Sequence, residues 1–202
     1  MIIVIILVGL LLLVGLIYIL IRNSMVGSRN RVDESWSGID VQLKRRHDLV
    51  PNLVEAVKGY ASHENKTFQQ VTEARAAAVK ARGVEETAKA ESALQGALAN
   101  INAVSEQYPE LRATENFQQL SRNLSELEDE IQASRRIYNS NVQSYNTKIQ
   151  IFPNSIVANQ AGFTDRPFFE ITEPGDREAP DVNFSGEGGG AAKADAPAEP
   201  AK

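Results

Sequence analysis

Lys44, Arg45, Arg46, His47 and Asp48 place three cations, an imidazole and a carboxylate in five consecutive positions. Such a cluster supports three readings. His47 beside Asp48 could move protons in catalysis. The cations could form a patch that binds a partner. The same residues could also be an ordinary polar face of a helix. The surrounding residues, IDVQLKRRHDLVPNLVEAVKGY (39–60), repeat apolar positions at helical spacing, so the cluster sits on a helix and its register decides among the three.

Trp36, Leu43, Val50 and Val57 fall seven apart, with Ile39, Leu53, Val54 and Tyr60 on the same face. Arg46 and His47 fall on that otherwise apolar stripe, whereas Lys44 lies on the outer face. A structural role is therefore expected: Arg46 snorkelling, and His47 a partly buried polar group with its hydrogen bonds met. Pro51 adds a demand, because it has no N–H for the carbonyl of His47. That carbonyl needs another donor, or the helix bends. Lipid contact by Lys44 and Arg45 is not expected. They lie more than a dozen residues beyond Arg31, roughly 20 Å along a helix and past a Debye length.

Other chemistry finds little support. Without cysteine there is no thiol nucleophile, disulfide, iron–sulfur cluster or cysteine zinc site. The two histidines lack bundle-metal spacing: Lys44 stands three before His47, and Tyr60 three before His63. His63-Glu64 is followed by Asn65, Lys66 and Thr67, so the His-Glu-x-x-His pattern is missing. The GEGGG run (186–190) follows no strand and opens no helix, and Gly-x-Ser-x-Gly does not occur. The expectation is a protein that is not an enzyme, with no catalytic, cofactor-binding or metal-binding residues and no cofactor. The net charge of −5 argues against nucleic acid as a partner.

Met1 to Ile21 is uncharged and long enough to cross a bilayer at 1.5 Å per residue. No Lys or Arg precedes it, which favours a retained anchor over a cleaved signal peptide. Arg22, Arg29 and Arg31 follow it, so the positive-inside rule puts the remainder in the cytoplasm of a single-pass cell-membrane protein. The expected organisation is an anchor at 1–21, a juxtamembrane linker or helix start at 22–35, a helical domain at 36–173 and a disordered tail at 174–202.

Within the domain, a first helix ends near Gly59, with Asn65 as the cap of the next. A second runs from Lys66 to Arg82 and stops at Gly83. The third carries Leu94, Leu98, Ile101, Val104 and Tyr108. Pro109-Glu110 opens the fourth, in which Phe117, Leu124, Ile131, Tyr138, Tyr145 and Phe152 are seven apart, joined by Leu120, Leu127, Val142 and Ile149. Glu126 and Glu128 fall on its outer face. The companion position hops from three to four residues along, which suits a long helix in a bundle groove better than a strict coiled coil. Pro153 ends it. Short turns between successive helices predict an all-α, up-down-up-down four-helix bundle with long first and last helices. FPNSIVANQAGFTDRPFFEITEP has no useful helical period. Phe163, Phe168, Phe169 and Ile171 are its expected anchors on the bundle.

WSGIDVQLKRRHDLVPNLVEAVKGYASHE (36–64), YPELRATENFQQL (108–120), RRIYNSNVQSYNTKIQIFPNS (135–155) and GFTDRPFFE (162–170) resemble the LemA family of bacterial membrane-anchored proteins. Where that family often has Tyr-Asn after the span, this chain has Arg22-Asn23. The resemblance implies a helical bundle behind one span and implies no enzymatic activity. A relative takes part in building magnetosome membranes, and family members are often encoded near membrane proteases. The expected function is protein–protein interaction, scaffolding or membrane organisation. The alternative is a regulatory adaptor of a membrane protease or transporter. The expected partners are the bilayer, through residues 1–21, and proteins, including further copies of the chain.

Overall fold

The computed structural model describes residues 1–170, and all regular structure there is helical. Ile171 and the tail from 174 lie outside the described residues. The elements are α1 (Ile2–Lys58), α2 (Asn65–Lys80), α3 (Val84–Glu106), α4 (Pro109–Arg112), α5 (Glu115–Gln150) and α6 (Asn154–Ala161).

α1 joins the apolar segment and the first domain helix without a break, and residues 22–35 lie inside it. At 1.5 Å per residue it is about 85 Å long. Every side chain from Met1 to Ile17 is exposed, and the stretch is long and apolar enough to cross a membrane. Burial begins at Tyr18 and Ile21 and is complete at Met25.

α1 and α5 run antiparallel along each other. Lys148 Nζ donates to Ser28 Oγ at 2.6 Å near one end, and Arg46 Nη1 donates to Glu128 at 2.8 Å further up. α2 and α3 form a hairpin against the upper part of this pair. Its turn needs Gly83, whose φ of +76° suits glycine. Gly83 acts as the N-cap of α3 rather than as the stop of α2, which ends at Lys80. Glu86 reaches back to the Arg82 amide at 3.0 Å, which satisfies a donor at the helix start. Asn65 is the first helical residue of α2 and caps nothing, the N-cap being Glu64. Pro109 opens only the single turn α4. The chain then restarts at Thr114, whose hydroxyl accepts from the Phe117 amide.

Two apolar cores result. The upper one joins Val50, Leu53, Val71, Leu94, Ile101 and Phe117. The lower one joins Met25, Val32, Ile39, Ile131, Tyr145 and Phe169. The hairpin's turn reaches the lower core through Val84 and Ala88, but α6 and residues 163–170 cover the rest.

That segment is tied to α5 by a repeated pair. Tyr138 and Tyr145 donate to the carbonyls of Pro167 and Thr164 at 2.9 and 3.0 Å. Asn139 takes both backbone groups of Phe169, and Asn146 both of Arg166. Each amide side chain thus pairs with an extended residue as a neighbouring strand would. Seven residues of helix rise about 10.5 Å, close to the reach of three extended residues, so the repeat and the segment stay in step. Phe169 is fully buried, with its ring 5.3 Å from that of Trp36. Arg29 lies over the half-buried Phe163 at 5.7 Å, whereas Phe168 is largely exposed.

Several expectations change. The short helix α6 occupies part of a stretch without useful helical period. Phe152 is 81% exposed because α5 ends two residues before it. Tyr60 is exposed beyond the end of α1. Leu124 is half-buried, lining a cleft of about 330 Å³ with Leu53 and Leu98. Ile131→Ala should cost about 2–5 kcal/mol as a buried large-to-small change. Leu124→Ala should cost less, and exposed Glu126→Ala less than about 0.5 kcal/mol. Chemical denaturation of a chain starting at Arg22 measures all three.

A buried ionic layer as candidate functional site

The heptad register of α1 places Arg46 and His47 between Leu43, in the lower core, and Val50, in the upper. Arg46 is 2% exposed. It therefore does not snorkel: its guanidinium meets the carboxylates of Glu91 on α3 and Glu128 on α5. His47 Nε2 lies 2.6 Å from the other oxygen of Glu91, itself fully buried. An ionised carboxylate only accepts, so His47 carries its proton on Nε2 in this contact. The carbonyl of His47, left free by Pro51, accepts from Arg75 Nε on α2 at 2.6 Å. α1 continues through Pro51 with that carbonyl satisfied.

One layer thus takes a group from each of α1, α2, α3 and α5. Arg46 and Arg75 balance Glu91 and Glu128 in charge. Burial pushes the Glu91 carboxyl up, but the His47 hydrogen bond and the charge and hydrogen bond of Arg46 outweigh it, holding the carboxyl below its ordinary value.

The remaining members of the sequence cluster lie elsewhere. Lys44, Arg45 and Asp48 are exposed. Arg45 pairs with Glu130 at 3.2 Å across the surface, where such a contact contributes little. The cluster therefore divides by helical register, with two residues inside and three outside.

The sequence cluster holds neither Glu91 nor Glu128, and Glu128 is expected on the outer face of its helix. It reaches inward to Arg46 from the edge of α5, with its side chain 30% exposed. Glu91 had a readable signal. It stands three before Leu94 and three after Ala88, a carboxylate on an apolar stripe, as Arg46 and His47 are polar side chains on another. The layer borders the cleft beside Leu124, which Arg46 and Glu128 also line. A carboxylate closed from solvent and held low in pKa is a poor general base, and its oxygens are committed to Arg46 and His47. Among the described residues no group of three or more acidic or histidine side chains is placed to hold a metal.

The sequence model of the LemA family matches residues 35–184, a span that includes all five residues of the layer. The chain belongs to the LemA family. Protein LemA of Metamycoplasma hominis is 29% identical over 159 residues, which cover 78% of this chain and 72% of that protein. Magnetosome protein MamQ 2 of Paramagnetospirillum magneticum is 25% identical over 180 residues, covering 76% of this chain and 66% of that protein. Magnetosome protein MamQ of Magnetospirillum gryphiswaldense is 23% identical over the same length.

The layer makes two predictions for this LemA-family domain. Glu91→Ala takes from Arg46 the fully buried one of its two carboxylates and from His47 its partner, and should cost about 1–3 kcal/mol. Replacing both partners, Arg46→Met with Glu91→Leu, should cost less than that single change. His47→Ala should cost at least about 1 kcal/mol by leaving Glu91 short of a donor, and exposed Lys44→Ala less than about 0.5 kcal/mol. Denaturation midpoints decide.

The second concerns acid. The carboxyl of Glu91 is lowered from 4.5, so the unfolded chain binds its proton first as pH falls. Its stabilisation is complete above about 4.5 and is lost as pH drops through the lowered folded value. The stability-against-pH slope in that acid range should flatten in Glu91→Gln.

Proposed function

We propose that this chain is a single-pass membrane protein whose helical domain stands on the cytoplasmic face and works by binding other proteins, as a scaffold or organiser of membrane assemblies. In this reading Met1–Ile21 is a retained anchor and the upper half of the domain is an up-down-up-down four-helix bundle. The observation that carries it is the unbroken course of α1 from the apolar segment into both cores. A domain built on the continuation of its own anchor has no hinge there and presents fixed faces at fixed heights above the bilayer. An enzyme would gain nothing evident from that arrangement. Arg46, His47, Glu91 and Glu128 are bound to one another, and Arg75 to a backbone carbonyl.

Likeness to proteins named for the magnetosome supports a part in organising a cellular structure. The positive charges of Arg22, Arg29 and Arg31 just beyond the apolar segment support the cytoplasmic side.

Two measurements test the proposal. Carbonate extraction with intact-mass analysis should find the chain in the membrane pellet with residues 1–21 attached. A mature form lacking them would overturn the anchor. Crosslinking in native membranes, read by mass spectrometry, should join exposed lysines such as Lys44, Lys58 and Lys80 to further copies of the chain or to membrane-assembly proteins. Crosslinks confined to one protease or transporter would favour a regulatory adaptor instead.

A further inference from the structure

We infer that the corner between α5 and α6, formed by Ile151, Phe152 and Ile156, is a second membrane contact that dips into the bilayer interface beside α1. This rests on the proposal that Met1–Ile21 spans the membrane, and it adds a surface which that proposal does not require.

The three side chains are 51%, 81% and 60% exposed and lie within six positions. Neighbouring apolar exposure of this size marks an interaction surface. The register of α1 and α5 fixes its height. Lys148 Nζ reaches both Ser28 at 2.6 Å and Ser24 at 3.3 Å. Since α5 descends as α1 rises, Ile151 and Phe152, three and four residues further on, arrive level with the last turn of the apolar segment. α6 packs against α1 as well as α5. Tyr18 and Ile21, the half-buried residues of the apolar segment, pack on the core that holds Ile149, Val157 and Ala158. The lower end of the domain therefore overlaps the apolar segment in height.

The chemistry agrees with that height. Residues 149–164 carry no charged side chain, although charged residues are 23% of the chain. Lys148, just above, is turned inward to serine hydroxyls. Val157 and Ala158 face the core, which leaves Ile156 on the outer side of α6. An uncharged corner with an outward Phe and two outward Ile, set beside Tyr18 and beneath Arg22 and Arg29, fits the acyl–headgroup boundary. There aromatic side chains are favoured and buried charge is costly. The occupant is the lipid around the chain's own anchor.

The test uses the full chain in vesicles containing brominated phospholipid, with one added tryptophan in turn at Phe152→Trp, Ile156→Trp, Leu11→Trp and Tyr60→Trp. The unaltered chain supplies the baseline from Trp36. The added emission at positions 152 and 156 should be lost when bromine is near the top of the acyl chain, and less so when it is near the bilayer centre. Position 11 should show the reverse preference, and position 60, at the far end of the domain, should lose none. Loss at 11 without loss at 152 and 156 would overturn this proposal and leave the anchor standing. No loss at 11 would overturn the anchor and this proposal together. A signal at 152 that follows the protein-to-lipid ratio instead of the bromine would mean that a second copy covers the corner, and would also overturn it.

Discussion

A charge without solvent must find a partner, and in this protein that requirement falls on Glu91. Its carboxylate is fully buried, and its partners belong to another helix. Apolar packing alone constrains register weakly, because one leucine fits against a stripe of others at several offsets. An ionic contact does not slide in this way. A shift of α3 by one turn against α1 moves Glu91 about 5.4 Å from Arg46 and His47, which leaves its carboxylate buried without them and Arg46 with Glu128 alone. A core of equal volume made only of apolar side chains could be as stable. What the layer adds is a single allowed alignment of α1, α3 and α5. Pro51 brings α2 into the same constraint. By removing one amide it frees the carbonyl of His47, and Arg75 takes it. A residue that would ordinarily weaken a helix here creates the acceptor that docks the neighbouring one.

Below the layer the problem differs. Apart from the hairpin's turn, the fold there offers mainly α1 and α5, and two helices cannot enclose a core. Extended chain completes it, but extended backbone against a helix leaves its own N–H and C=O groups without a ladder. The Tyr-Asn pairs on α5 supply one. Each asparagine gives the donor and acceptor that a strand would give, and each tyrosine fills the core with its ring while its hydroxyl reaches a carbonyl. Burial pushes both phenols above their ordinary value, so they remain donors at neutral pH. The heptad that suits packing on α1 also matches the pitch of the segment.

Local patterns that repeat were legible in the sequence. The apolar segment, the stripes of α1 and α5, the stop near Gly59 and the demand for a donor at the carbonyl of His47 each follow from spacing or from one residue's covalent chemistry. Pairings across the chain were not. Nothing local to Arg46 points to Glu91, 45 positions away, although both break apolar stripes and so shared the same clue. Glu128 was misplaced because a long side chain at the edge of a face can turn inward when a cation waits there. Asn139 and Asn146 carry no signal of their own in the sequence, because their partners are backbone groups of a segment without helical period. Phe152 continued the heptad on paper, but α5 stops at Gln150, and with the helix goes the register that would have buried it.

The two halves of the domain are held in place by different means. In the upper half, position is set by charge pairing among α1, α3 and α5 and by the Arg75 hydrogen bond from α2, so its surface is fixed relative to α1. In the lower half, position depends on residues 163–170 remaining in place, held by hydrogen bonds to neutral side chains and by the ring of Phe169. Arg166 joins this segment to Asp33 on α1 at 3.0 Å, an exposed pair that contributes little to stability but adds a link toward the apolar segment. Since α1 is one helix from the apolar segment to the polar layer, a tilt of that segment carries the upper half with it. The extended segment is the part of the domain not built on a continuous helix. It lies toward the end of the domain where α1 continues into the apolar segment, so a displacement arriving from that end meets the Tyr-Asn ladder before the ionic layer.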